Sequence, residues 1–178
     1  MIGDLKEVLL DENTIITKIK EIGESISRDY RGKELVLVGV LKGSVMFMSD
    51  LMKNITIPCC MDFMAVSSYG AATETSGIVR ILKDLDYQIE GKHVLVVEDI
   101  IDSGVTLKYL IEYLRSRKPA SLEIACLLNK PERRRVEIEV KYEGFKVPDY
   151  FLVGYGLDYA EKYRNLPYVG ILKEEVYK

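Results

Sequence analysis

The sequence predicts an α/β fold with a doubly wound, mainly parallel central sheet. Two patterns and their order along the chain carry that prediction. Short continuous apolar runs, Leu35–Val40, Val94–Val97 and Leu122–Leu128, suit strands buried on both faces. Between them apolar residues recur at helical spacing, and the two patterns alternate, as parallel strands with crossover helices require.

Taken in order, Ile15, Ile19, Ile22 and Ile26 mark one face of a helix, with Asn13 or Thr14 placed to cap it. Leu35–Val40 is the first buried strand. Val45, Met48, Leu51 and Met52 follow as a helix facing that sheet, and Ile57–Val66 reads as a second strand. Ser67–Gly77 is small and polar and reads as a loop, the tip of an extended hairpin that resumes at Ile78–Leu82. Val94–Val97 is a strand. Leu107, Leu110, Ile111 and Leu114 form the next helical face. Leu122–Leu128 and Tyr150–Val153 are further strands, and Val136, Ile138, Val140 and Tyr142 alternate as in a half-exposed strand between them. With no repeat, linker or low-complexity segment, residues 1–178 are expected to form a single domain.

Composition narrows the function. The chain is 48% hydrophobic and 30% charged, enough apolar material for a core without disulfide or metal staples. A net charge of -3 weighs against a nucleic-acid partner. Arg133, Arg134 and Arg135 form the one dense basic run, either a solvated turn or a ligand-side loop. Cys59, Cys60 and Cys126 are odd in number and fit neither a disulfide framework nor a zinc spacing, so buried free thiols in a reducing compartment are expected. The N-terminus lacks an apolar signal core, and no apolar run approaches the roughly 18–20 residues of a membrane span. A cytoplasmic chain with no membrane partner is the expectation. His93 is the only histidine, so acid–base chemistry falls to Asp, Glu, Lys or Tyr.

The densest chemical signal follows Val94–Val97. Glu98-Asp99-Ile100-Ile101-Asp102-Ser103-Gly104-Val105-Thr106 puts three carboxylates, two hydroxyls and a glycine on a strand-to-helix turn. Backbone N–H groups and the helix dipole there make a phosphate site, with Gly104 allowing close approach and Ser103 and Thr106 adding hydroxyls. Glu98 and Asp99 would repel a bare phosphate but suit ribose hydroxyls, or a magnesium ion already holding phosphate oxygens. A sugar phosphate therefore fits better than a nucleoside triphosphate. A simple capped helix is the plainer alternative, but it needs one acid rather than three. Neither a Walker-type loop nor an intact dinucleotide fingerprint is present.

From Val96 to Thr106 the chain closely resembles the phosphoribosyl-pyrophosphate motif of type I phosphoribosyltransferases, most of all their hypoxanthine–guanine branch. Adenine and orotate enzymes typically have a small or hydroxyl residue at the position of Asp102, and the uracil-type regulator of pyrimidine operons typically has tyrosine. The resemblance implies the fold of that family, with a small hood and a flexible lid loop, and Mg2+ as cofactor. It implies Asp102 as the group that exchanges a proton with the purine's five-membered ring. Glu98 and Asp99 would contact the ribose hydroxyls and the metal, and Ser103, Gly104 and Thr106 the 5′-phosphate.

Three other segments match the family. Lys42-Gly43-Ser44, by itself equally a surface lysine at a helix start, resembles the pyrophosphate loop, which often holds a cis peptide before its lysine and a second glycine at Ser44. Lys130, otherwise a solvated loop lysine, matches the donor to the purine 6-oxo group, and Arg134 matches a pyrophosphate or loop contact. From Pro148 to Tyr159 an aromatic cluster, which could be plain core, implies Phe151 stacked on the purine, the Leu152 backbone reading its edge and Asp158 on Mg2+, with Arg164 beyond it on pyrophosphate. Gly156 often corresponds to alanine in relatives. Ser68 and Tyr69 match the recurring pair of the lid loop. The substrates implied are a 6-oxopurine and phosphoribosyl pyrophosphate, and the implied assembly is a homodimer or homotetramer. A sister enzyme preferring xanthine, a regulator binding nucleic acid, and a non-catalytic nucleotide binder remain as alternatives.

Overall fold

A computed structural model describes residues 1–69 and 78–178. Strand β1 (Leu5–Leu10) leads into helix α1 (Glu12–Asp29), then strand β2 (Leu35–Leu41) and helix α2 (Val45–Lys53). Strands β3 (Cys59–Tyr69) and β4 (Ile78–Lys83) precede β5 (His93–Ile101), helix α3 (Val105–Ser116) and β6 (Ser121–Asn129). Strands β7 (Tyr142–Lys146), β8 (Leu152–Val153) and β9 (Val169–Leu172) and the short helix α4 (Glu174–Tyr177) complete the order.

Six strands form the central sheet in the order β4-β3-β2-β5-β6-β7, parallel except for β4, which runs antiparallel to β3. Side-chain alternation explains why these strands read as unbroken apolar runs. Leu35 and Leu37 of β2 join α1 and α2 on one face, together with Leu95 and Val97. Val36, Val38 and Val40 face the other side with Val94, Val96 and the inner face of α3. From β2 the chain steps to β3 on one side, and from β4 it crosses back to β5 on the other. The strand order therefore reverses between β2 and β5, which opens a crevice beyond their carboxyl ends.

A second sheet, β1-β9-β8, is antiparallel and forms the hood. It has its own small core of Leu5, Val153, Tyr163, Leu166 and Leu172. The start of β1 is pinned to the end of β9 by Lys173 N–H to the Asp4 carbonyl at 3.0 Å, and to the β8–β9 connection by the Tyr163 hydroxyl to the Asp4 carboxylate at 2.9 Å.

Several expectations are corrected. The cap of α1 is Asp11, whose carboxylate accepts from Thr14 N–H at 2.7 Å, rather than Asn13 or Thr14. Val136–Val140 forms no strand. Its alternating Ile138 and Val140 pack on the α3 side without a ladder partner, and pairing with β6 starts only at Tyr142. Leu152–Val153 pairs in the hood rather than in the central sheet. Ser67, Ser68 and Tyr69 are not loop but the paired end of β3, opposite Arg80, Val79 and Ile78. The rest of the expected lid, 70–77, lies outside the described residues. Cys126 is buried and Cys59 half-buried, but Cys60 is exposed, since alternation turns it away from the helices that cover Cys59.

Helix α2 starts immediately after the Lys42–Gly43 turn, and its Phe47 is fully buried against the sheet. Phe47→Ala is expected to cost about 3–5 kcal/mol of stability, the usual range for truncating a core aromatic. Urea denaturation at equilibrium reads this, and a loss under about 1 kcal/mol would show that α2 packs loosely.

Candidate functional site

The crevice between β2 and β5 is floored by two turns in contact. The Leu41–Lys42 peptide is cis. Gly43 lies so close to the Asp99 carboxylate that any Cβ would overlap it. On its other side the Gly43 carbonyl abuts Gly156, which has φ +97° and also has no room for a methyl unless that carbonyl moves. Alanine at Gly156, common among family relatives, would therefore require a shift in this backbone. Ser44, where the family has glycine, is wholly buried and donates its hydroxyl to the Val40 carbonyl at 2.7 Å, so it faces the core and not the crevice.

At the end of β5, Glu98 and Asp99 are half-buried side by side. Burial pushes the Glu98 carboxyl well up, and the Asp99 charge pushes it further. Desolvation likewise raises Asp99 to about 6, against hydrogen bonds from backbone N–H groups. Arg164 and Asp158 both act on Asp99 through space, the first lowering it and the second raising it. Two acids held above their ordinary range by burial are a donor set that a cation would relieve.

Beyond them Gly104 adopts φ +82° and caps α3, its carbonyl accepting from Lys108 N–H at 2.9 Å. A side chain at Gly104 would strike Ile138, with Arg134 and Val136 close behind. The irregular 134–138 segment thus presses the turn into shape, and Arg135 N–H bonds the Ser103 carbonyl at 3.0 Å. The half-buried Ser103 and Thr106 flank this helix start, the geometry that binds anions.

Parallel pairing of β5 with β6 brings Lys130 beside Asp102, with Lys130 N–H on the Ile101 carbonyl at 3.0 Å. Lys130 is only 6% exposed, an unusual burial for lysine, and its ammonium donates to the Tyr150 carbonyl at 2.6 Å. Next to Tyr150, Phe151 is 37% exposed. One face of its ring is stacked on Tyr177 at 4.7 Å, and Tyr159 meets it edge-on at 5.5 Å. Leu152 follows, buried in β8.

The basic run folds back onto the acidic turn, with Arg133 and Arg135 still exposed. Arg133 pairs with Asp102 at 2.8 Å and with Asp149 at 3.2 Å, while Asp149 lies 3.7 Å from Lys130. Arg134 spans the Asp102 carbonyl, at 3.2 Å, and the Asn129 side chain.

After β8 a tight turn carries the remaining charges. Arg164 donates to the Gly156 carbonyl at 2.7 Å and pairs with Asp158 at 3.0 Å. Since Gly156 touches Gly43, this turn sits against the Lys42 loop, and Lys42 reaches Glu161 at 3.0 Å.

The residues singled out in the sequence thus fall on segments that converge at one end of the sheet, apart from the lid. Among the described residues no three His, Cys, Asp or Glu side chains converge as a closed metal cage. No helix among them is long and apolar enough to cross a membrane. Arg133, Asp149, Glu161 and Tyr177 were not singled out individually. The arginine run gave a signal for the first, but nothing local marks the other three.

Known proteins resemble this chain over nearly its whole length. The family described as "Phosphoribosyl transferase domain" matches residues 7–160. A hypoxanthine-guanine phosphoribosyltransferase of Staphylococcus aureus (strain Mu50) is 59% identical, covering 99% of each chain. A crystal structure of a hypoxanthine phosphoribosyltransferase from Staphylococcus aureus superposes with a TM-score of 0.97 at 58% identity, covering 100% of this chain and 97% of that one. A Bacillus anthracis hypoxanthine-guanine phosphoribosyltransferase gives 0.91 at 48% identity, covering 95% and 99%.

The raised Asp99 yields a stability prediction. Between its ordinary 3.8 and about 6, the folded chain holds a proton that the unfolded chain has released, so stability falls as pH rises through that window. Asp99→Asn is expected to raise the melting temperature of the ligand-free protein near pH 7, with the gain vanishing below about pH 4. Thermal melts across that range read the effect, and an equal gain at every pH would rule out the carboxylate charge as its cause.

Proposed function

The chain belongs to the phosphoribosyl transferase domain family, and from that premise we propose that it joins hypoxanthine or guanine to phosphoribosyl pyrophosphate, forming inosine or guanosine monophosphate and pyrophosphate. One observation supports this above the rest. The strand-order reversal sets the acidic turn, the Lys42–Gly43 loop, the Lys130–Phe151 wall and the Asp158–Arg164 turn around a single crevice.

In this reading Ser103, Gly104 and Thr106 hold the 5′-phosphate at the start of α3. Glu98 and Asp99 take the ribose hydroxyls. Lys42, Gly43 and Arg164 hold the pyrophosphate, whose departing charge the two cations stabilise. The residues fit Mg2+ as far as donor chemistry goes: Asp158, Glu98 and Asp99 are hard oxygen ligands, two of them held high by unrelieved burial. Bound there, Mg2+ would supply charge neutralisation on the pyrophosphate oxygens. An incomplete protein cage suits an ion that keeps waters and shares its sphere with substrate phosphates.

The purine lies on the face of Phe151 that Tyr177 leaves free. Lys130 gives one donor to the Tyr150 carbonyl, and its ammonium has donors left for the 6-oxo group. A 6-amino purine presents no acceptor there, so a buried lysine discriminates against it. The Leu152 backbone reads the base edge. As the bond from the ribose anomeric carbon to pyrophosphate breaks, positive character grows on that carbon and the purine attacks from the opposite face. The proton leaves the five-membered ring for Asp102. Arg133 engages one Asp102 oxygen and leaves the other for this transfer. Ser68 and Tyr69, at the end of β3, lead into the segment that the family resemblance assigns to closing the site against water. The same resemblance extends the reading to a single-domain, cytoplasmic homodimer or homotetramer.

A coupled assay of nucleotide formation from hypoxanthine, guanine, xanthine, adenine and uracil tests the whole proposal. Turnover confined to the first two bears it out, and turnover on none defeats it. Asp102→Asn is expected to lower kcat by about 10²–10⁴-fold, the scale of a general acid–base group. Near-normal turnover would remove Asp102 from the reaction. Lys130→Gln is expected to raise the KM for hypoxanthine by about tenfold or more while sparing that for phosphoribosyl pyrophosphate. Equal losses on both would mean that Lys130 does not read the base.

A further inference from the structure

Glu161 lies between the two cations assigned to pyrophosphate. One carboxylate oxygen meets the Lys42 ammonium at 3.0 Å and the other meets the Arg164 guanidinium at 3.5 Å. Lys42 and Glu161 are 66% and 65% exposed, so solvent screens the pair and it can be displaced.

The backbone is committed to this placement. Ala160, Glu161 and Tyr163 all take left-handed φ values, +50°, +62° and +76°, which non-glycine residues seldom adopt. Glu161 N–H is fixed to the Asp158 carboxylate at 2.9 Å, and Tyr159 and Lys162 close a reciprocal backbone bridge around it at 3.2 and 3.0 Å. A surface turn with no further duty would place glycine or asparagine at such positions. Departures of this kind persist where surrounding contacts enforce them, and they cluster at functional sites.

We propose that Glu161 is an internal stand-in for pyrophosphate. Its carboxylate occupies the seat between Lys42 and Arg164 in the free enzyme, yields it to the incoming pyrophosphate group and reclaims it as product departs. Glu161 touches no reacting atom. It is a positioning residue that sets affinity for phosphoribosyl pyrophosphate and pyrophosphate by competing for their two cations. The inference rests on the pyrophosphate role given above to Lys42 and Arg164.

The test uses the full chain with Glu161→Gln and Glu161→Asn. Both remove the charge. Asparagine tolerates the left-handed backbone better than glutamine, so an effect shared by the two comes from charge rather than strain. With Mg2+ present, the KM for phosphoribosyl pyrophosphate and the inhibition constant of pyrophosphate are expected to fall together, by about two- to fivefold, the scale of an exposed ion pair. The KM for hypoxanthine should not move. The gap from the unsubstituted protein should narrow as salt rises from about 50 to about 500 mM, which a purely structural change would not produce. Unchanged or weakened pyrophosphate binding in both variants overturns the proposal, as does a shift that salt does not touch. A parent protein that forms no nucleotide would instead defeat the reading of the site itself, which keeps the two failures apart.

Discussion

The contact between Gly43 and the Asp99 carboxylate is the constraint on which the rest of the site depends. Strands β2 and β5 are parallel neighbours, so their following turns emerge at the same end of the sheet. Only the missing Cβ at Gly43 lets the first turn lie on the acid of the second. Gly156 then packs on the Gly43 carbonyl and carries the Asp158–Arg164 turn into place. Three chain segments far apart in sequence meet through two glycines, and the charges on each are thereby held within reach of a common ligand.

Charge is managed differently in the two halves of the crevice. Asp102 has Arg133, Asp158 has Arg164 and Lys42 has Glu161, each pair at least partly exposed and within reach of exchange. Glu98 and Asp99 form no such ion pair among the described residues and are driven toward their protonated forms by burial. Under the proposed function the paired groups exchange for ligand charge, while the unpaired acids take hydroxyls or a metal. In that reading the half-buried acids trade stability of the free protein for binding, as active sites commonly do.

The wall proposed to hold the purine is a joint product of sheet and hood. Lys130 belongs to the end of β6 and Phe151 to the entry of β8, and the lysine's bond to the Tyr150 carbonyl ties the two together. Phe151 is in turn backed by Tyr177 from the last helix, so the platform's orientation depends on a residue outside every recognised motif.

The sequence by itself determined the central layers and the chemistry of the acidic turn. Continuous apolar runs such as Leu35–Val40 and Val94–Val97 encode burial on both faces directly, and the residues from Glu98 to Thr106 are contiguous, so local pattern suffices. It did not reveal β1 and β9, whose mixed and short segments become strands only by pairing with each other across the chain. It misread Val136–Val140 as a strand, because alternation reports a buried face but not whether a neighbour offers a ladder. Glu161 and Tyr177 were likewise decided by tertiary structure alone. Their contacts, with Lys42 119 residues away and with Phe151 across the hood, depend on backbone direction and strand order, which no local spacing of residue types records.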